Sequence, residues 1–204
     1  MISPLLANLY LHWLDRRFHG QDGPARFAKA RIVRYADDFV ILARYVGTRI
    51  TRWVEGTVED WMGLRVNREK TSVIDLKQPG AKLDFLGYSL CYKRSNYDTG
   101  QPYLSIEPSA KACAREREAV RGIVNGHRTH VPLADMIETL NRQLAGWKNY
   151  FNRFHRGLHF AKMNRFVCHR VVRHLMRRSQ RPFRPPEGET WYGLAYKRLG
   201  LLRL

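Results

Sequence analysis

Two adjacent carboxylates, Asp37 and Asp38, follow Tyr35-Ala36 between the apolar runs Ile32-Val33 and Phe39-Val40-Ile41-Leu42. The β-branched and aromatic residues on both sides read as two buried strands of a hairpin with the acids at its crest. A carboxylate pair placed there is costly unless a cation offsets the mutual repulsion. Hard divalent ions with oxygen ligands meet that need, and two-metal phosphoryl transfer is the chemistry that uses such a pair. An Asp-Asp surface turn is the plain alternative, because Asp suits turns. The preceding tyrosine and the apolar runs favour the catalytic reading. Alternation along a hairpin lets one of two neighbours face a site squarely, so Asp37 is read as the primary metal ligand. Asp38 is then a weaker ligand or electrostatic support, or else a hydrogen-bonded turn acid.

The elements that must position this pair are legible at coarse grain. Ser3 and Pro4 open a first helix whose apolar face is read as Leu6, Leu9, Tyr10, Trp13, Leu14 and Phe18. A Gly/Pro loop, Gly20 to Pro24, leads to the hairpin. A second helix follows from about Thr48, with Ile50, Trp53, Val54, Val58, Trp61 and Met62 at helical spacing and Gly63 as its stop. Short strands are expected around Val66, Val73-Ile74, Leu83–Phe85 and Tyr88–Tyr92, with a turn over Asn96–Gly100 returning the chain to Tyr103–Ile106. Pro108-Ser109 marks a boundary, beyond which the pattern is helical. One helix begins at Ser109. Another begins at Pro132, with Leu133, Ile137, Leu140, Leu144 and Trp147 on one stripe. A third, from about His159, turns Phe160, Met163, Phe166, Val167 and Leu175 inward. The fold class is α+β, with residues 1–108 mixed and 109–204 helical. No internal repeat appears.

Composition points to a polyanion. Net charge is +18, from 36 Lys and Arg against 18 acids. Residues 1–109 hold 16 basic and 12 acidic residues, whereas residues 110–204 hold 20 and 6. Such asymmetry marks a nucleic-acid-binding half, and arginine forks suit bidentate phosphate contacts. Arg142, Lys148, Arg153 and Arg156 cluster along one helix and its end; Arg170, Arg173, Arg177, Arg178 and Arg181 cluster on the next. These nine are read as the RNA face, with Trp147 and Phe151 as packing. A membrane surface would want a lipid-facing stripe, and the aromatics fit a core better. No apolar run spans a bilayer, and the start lacks signal-peptide form. Cys91, Cys113 and Cys168 are spaced as reduced, buried thiols of a cytosolic protein, with no zinc pattern. His169 and His174 beside Cys168 are read as surface or RNA-contact histidines.

Several blocks together carry a family resemblance. Ile2-Ser3-Pro4-Leu5-Leu6-Ala7-Asn8-Leu9-Tyr10-Leu11, the Tyr35–Asp38 box, Gly63-Leu64-Arg65-Val66-Asn67-Arg68-Glu69-Lys70-Thr71 and Asp84-Phe85-Leu86-Gly87-Tyr88 resemble, in order and spacing, the palm of group II intron reverse transcriptases. Leu140-Asn141-Arg142-Gln143-Leu144-Ala145-Gly146-Trp147-Lys148-Asn149-Tyr150-Phe151 is similar to the maturase segment, domain X, of those proteins. The resemblance implies a partial palm over 1–108 and a helical thumb and maturase domain over 109–204. It implies an RNA-directed DNA polymerase, a nucleotidyltransferase using two Mg²⁺ with dNTPs, an RNA template and a DNA primer. It also implies binding of intron RNA that promotes splicing and mobility of the element.

The same resemblance assigns individual roles. Asp37 and Asp38 would be metal ligands, Tyr35 and Ala36 would lie under the primer end, and Asn8 near the templating pair. Lys70 would sit near the departing pyrophosphate, stabilising charge or donating a proton; a solvated strand-end lysine is the alternative. Phe85-Leu86-Gly87 would be the primer-grip turn, where glycine lets backbone approach backbone. Family members also carry a Gln-Gly pair, a fingers region and a palm strand with a third metal-binding aspartate, all before the Ser-Pro-Leu-Leu block. Here Met1 directly precedes Ile2, and neither Asp15 nor Asp22 resembles that ligand. The chain is therefore expected to be the C-terminal portion of a longer enzyme: a truncated gene, a split polypeptide completed by a separate N-terminal half, or an internally initiated product. An RNA-binding maturase module or an inactive remnant without polymerase activity is the alternative.

Overall fold

The computed structural model describes residues 3–45, 47–94, 100–155, 157–178 and 183–204. The chain divides into two compact units, Met1–Ala81 and Lys82–Leu204. Pro108-Ser109 thus falls inside the second unit, at a junction between strand and helix. No helix among the described residues is long and apolar enough to cross a membrane.

In the first unit, helix α1 (Ser3–His19) leads through a short helix α2 (Pro24–Phe27) to the antiparallel hairpin β1 (Arg31–Tyr35) and β2 (Asp38–Leu42). Helix α3 (Thr48–Glu55) continues as a π-helical turn, Gly56–Trp61, and stops at Gly63, whose φ is +65°. Leu11 and Leu14 of α1 join Val54, Val58 and Met62 in a small core, with Ile32, Phe39 and Ile41 of the hairpin laid against it. Phe18 is fully buried and meets Trp53 edge-on. Gly23 is obligatory, because a Cβ there would stand 2.2 Å from the Phe18 carbonyl oxygen.

Three expectations need correction here. Of the apolar face read on α1, only Leu14 and Phe18 are buried; Leu6, Leu9, Tyr10 and Trp13 are exposed, and Leu11 takes their place. One hairpin and one short helix are too small to cover the helix all round. The hairpin strands are likewise not buried on both faces. Burial alternates along β1, with Val33 and Tyr35 exposed, because the sheet has two strands and a single covered face. No strand forms at Val66 or Val73-Ile74: the Val66 amide donates to Glu59 Oε1 instead, and Val73 is exposed.

The second unit opens with the sheet β3 (Leu83–Phe85), β4 (Tyr88–Arg94) and β5 (Pro102–Pro108), all antiparallel. The Asn96–Thr99 part of the expected turn lies outside the described residues. Helices α4 (Ala110–Ile123), α5 (Leu133–Phe151) and α6 (Gly157–Arg177) follow, then helical turns at α7 (Trp191–Gly193) and Leu194–Arg198. Ser109 caps α4 by accepting from the Ala112 amide, and Pro132 stands ahead of α5 as read from sequence. Leu140, Leu144, Met163, Val167, Val171 and Val120 are sealed between the helices, and Trp147 sits between Phe151 and Phe160. The tail is held by side-chain amides. Asn141 donates to Gly200 O and accepts from Leu202 N; Asn164 accepts from Leu204 N and donates to Leu204 O.

A buried polar knot joins sheet to helices. Glu107 of β5 accepts from Ser105 and pairs with Lys93 of β4 and with His159 Nε2 of α6 at 2.8 Å; His159 Nδ1 in turn approaches Cys113 of α4 at 3.6 Å. Burial opposes the charge on Glu107, but hydrogen bonds from Lys93 and Ser105 outweigh it and hold the carboxyl below its ordinary value of 4.5. A carboxyl depressed in the folded state stabilises above its unfolded titration and loses that contribution as pH falls through the folded value. Glu107→Gln should therefore cost about 2 kcal/mol at neutral pH, less than the loss of a fully buried pair because Lys93 is partly exposed. The deficit should shrink as pH falls below about 4.5. Urea titrations of both proteins across pH 3–7 check it; a deficit that does not change with pH contradicts it.

Candidate nucleic-acid interface

The acidic turn is built by strain and by one arginine. Tyr35 pairs with Asp38, leaving Ala36 and Asp37 as a two-residue turn, and Ala36 takes φ +54°. A positive φ at the first central residue marks a type II′ turn and is a glycine's conformation. Asp37 and Asp38 are exposed, as is Tyr35. Arg34 points to the covered face. Its Nη1 donates to Asn8 Oδ1 at 2.8 Å and to Ala36 O at 2.9 Å, while Nε and Nη2 grip Asp15, the shortest contact being 2.7 Å. Asn8 and Ala36, both singled out from sequence, are thus brought together through a residue the sequence reading missed. Alternation put Arg34 on the face of Ile32, and a half-covered arginine needs an acid; Asp15 is the one acid on α1.

The remaining candidate residues ahead of the helices are placed separately. Lys70 sits in an exposed turn, its amide bonded to Asn67, and so is not at a strand end. Phe85-Leu86-Gly87 forms the β3–β4 turn in the second unit, with φ +50° at Leu86 and +78° at Gly87, as a type I′ turn requires. This turn is fastened to the end of α5: Tyr150 Oη donates to Leu86 O at 2.8 Å, Tyr88 Oη donates to Tyr150 O, and the two rings stack. Burial, with Tyr150 adding, pushes the Tyr88 hydroxyl up.

Two magnesium ions need several carboxylate oxygens to fix them. Among the described residues no group of three His, Cys, Asp or Glu side chains converges on one point, and Asp15 is committed to Arg34. Asp37 and Asp38 alone do not fit two ions.

The cations of the helical unit sort into engaged and outward-facing. Residues 139–186 hold twelve Lys and Arg and no acid. Arg142 pairs with Glu138, Lys148 donates to Arg203 O, and Arg178 donates to Val131 O. Arg170 is half-buried and donates to Val124 O at 2.6 Å, so it serves the fold instead of standing free on the surface as expected. Arg153, Arg173 and Arg177 are exposed; Arg156 and Arg181 lie outside the described residues. His169 is exposed, but His174 is buried, against expectation, because its position on α6 faces the helix core. Burial lowers its pKa, and the charges of Arg178 and Arg170 add to that. Cys91, Cys113 and Cys168 are all buried and free.

Residues 114–186, from α4 to just beyond α6, match the family model of the group II intron, maturase-specific domain. The C-terminal part of this chain is a group II intron maturase domain. No curated protein matches the chain. Within the maturase domain, the Gly146–Phe151 run serves structure: Trp147 and Phe151 pack, Lys148 holds the tail, and Tyr150 holds the β3–β4 turn.

The Arg34–Asp15 pair yields a test of what supports the acidic turn. Arg34→Ala and Asp15→Ala should each destabilise the first unit by about 1–2 kcal/mol, with a coupling of about 1 kcal/mol in the double-mutant cycle. Additive losses would show that the pair does not act as a unit.

Proposed function

We propose that this chain binds structured intron RNA through its helical unit and promotes splicing as a maturase. We further propose that residues 1–108 carry part of the palm of an RNA-directed DNA polymerase, ahead of a thumb at 109–204. The observation that supports RNA binding best is that the maturase-domain match contains residues 139–186, a segment with twelve cations and no acid. Phosphate neutralisation by such a surface supplies most of the affinity for nucleic acid. Three free, buried thiols suit a reducing compartment such as the cytosol.

The polymerase reading rests on Tyr35-Ala36-Asp37-Asp38 at an exposed, strained turn. Non-glycine residues at positive φ cost on the order of 1–3 kcal/mol and concentrate at functional sites. In this reading Asp37 and Asp38 supply part of a Mg²⁺ site, Lys70 serves the leaving pyrophosphate, and Tyr35, Ala36, Asn8 and Phe85–Gly87 position primer and template. A further carboxylate on a facing strand, from outside residues 1–204, is needed to complete it. The engagement of Asp15 by Arg34 favours the second reading, a maturase module without synthesis by this chain alone.

Binding to a structured RNA should be steeply salt-dependent, with affinity falling about 10³–10⁵-fold between 50 and 200 mM salt if 6–10 phosphates are contacted. Salt-insensitive binding would count against the RNA-binding reading. Residues 1–204 alone with Mg²⁺ should give no primer extension on an RNA template. Extension should appear when the fingers-and-first-strand polypeptide is supplied and vanish again with Asp37→Asn. Robust extension by the chain alone would overturn the requirement for another acid.

A further inference from the structure

The cations engaged internally cannot also serve as the principal grip on a polyanion without giving up their partners. Removing Arg142, Lys148, Arg170 and Arg178 on that ground leaves a second set, in which Lys162 and Arg165 join three residues already singled out from sequence. Lys162, Arg165, His169, Arg173 and Arg177 are all exposed on α6, at steps of three, four, four and four residues. That spacing keeps them on one face of a helix, and the row is about 22 Å long at 1.5 Å per residue. Among the described residues, none of the five makes an ion pair.

The row widens onto α4. Phe166, half-buried beside it, carries Arg117 and Arg121 against its ring, with guanidinium carbons 6.0 and 5.5 Å from the centroid. Arginines held this way are pre-oriented; Arg121 also pairs with Glu118 at 2.7 Å, which leaves Arg117 as the one whose fork is free of an ion pair among the described residues. The field of the cluster is felt inside the protein. Burial first, and then the charges of Arg173, Arg121 and Arg177, lower the pKa of Arg170, with Glu118 alone opposing. So much like charge gathered in one place destabilises the free protein, and a polyanion relieves it.

We propose that the α6 row Lys162, Arg165, His169, Arg173 and Arg177, flanked by Arg117 of α4, is the surface that seats the phosphate backbone of helical RNA. This assignment rests on the RNA-binding reading above. A-form RNA presents regularly spaced phosphates flanking a shallow groove, and proteins recognise it largely by shape and backbone. A straight cationic row on a rigid helix is complementary to that backbone. Exposed apolar side chains stand only near the row's ends, Leu158 and Met176, so it lacks the continuous apolar stripe an anionic membrane would require.

The test uses the full chain and a fluorescein-labelled RNA hairpin with a stem of about 16 base pairs, a length one double-stranded-RNA-binding domain spans. Two triple variants are compared with the parent: K162Q/R165Q/R173Q on the row, and R142Q/K148Q/R153Q on α5 and the turn that follows it. The row variant should flatten the slope of log affinity against log salt by about 3, roughly one for each phosphate left without its cation, and the α5 variant by less than 1. Since all three row positions are exposed, the row variant should keep its circular-dichroism spectrum. Its thermal midpoint at low salt should be equal or higher, because repulsion is relieved. No binding by the parent overturns the RNA-binding reading itself. Parent binding that the row variant retains, or that the α5 variant loses to the same extent, overturns this assignment alone. Equal affinity of parent and row variant for RNA, with parent-only binding to vesicles of anionic phospholipid, would assign the row to a membrane instead.

Discussion

Twelve cations and no acid within 48 consecutive residues set the constraint that the helical unit has to satisfy. Like charges at helical spacing repel, and the usual remedy of alternating Glu and Lys is absent from this stretch. The fold meets part of the problem with carbonyl oxygens. Arg170, Arg178 and Lys148 each donate to a backbone carbonyl at or near the end of another element: Val124 after α4, Val131 before α5, and Arg203 in the tail. Each bond offsets a cation with a dipole and at the same time fixes a connection that would otherwise be loose. Lys162, Arg165, Arg173 and Arg177, among the cations left over, are exposed on one face of α6. Fold and binding surface are thus two outcomes of one partition of charge.

The same economy runs through the segment's most recognisable motif. Trp147 and Phe151 fill the core, while the polar residues between and around them reach out to neighbouring segments. Lys148 and Asn141 hold the tail, and Tyr150 holds the β3–β4 turn. That turn therefore belongs mechanically to the helical unit, which is why the compact units divide at Ala81 and not at Pro108. A turn expected to touch primer is anchored to a helix of the maturase domain by two tyrosines, Tyr150 donating to Leu86 O and Tyr88 to Tyr150 O.

Local chemistry was legible in the sequence. The Ser109 cap, the Pro132 start, the Gly63 stop and the Leu86-Gly87 turn each follow from a residue's own conformational preference, and each forms as read. What escaped was long-range. Periodicity showed that α1 has an apolar side but not how little of it the hairpin and α3 could cover, so Leu11 was missed and Leu6 and Leu9 were wrongly buried. Val66 and Val73 had strand-like side chains but no neighbouring strand to pair with. The polar ties escaped for the same reason. Arg34 reaches Asn8 across 26 residues and Asn141 reaches Leu202 across 61, and nothing in the local sequence marks either partner. Charge counts identified the basic half correctly yet could not separate an arginine that caps a carbonyl, such as Arg170, from one that faces solvent, such as Arg173.

The partition of charge can be tested most directly by mapping where RNA touches the chain. Photo-cross-linking of a 4-thiouridine-substituted structured RNA to the full protein, followed by mass spectrometry of the peptides, reads this out without mutation. The account predicts adducts concentrated on peptides from α6 and the facing side of α4, within residues 111–178, with little on the tail-holding side of α5. Adducts centred on residues 3–81, or on the Arg142–Lys148 side of α5, would contradict it.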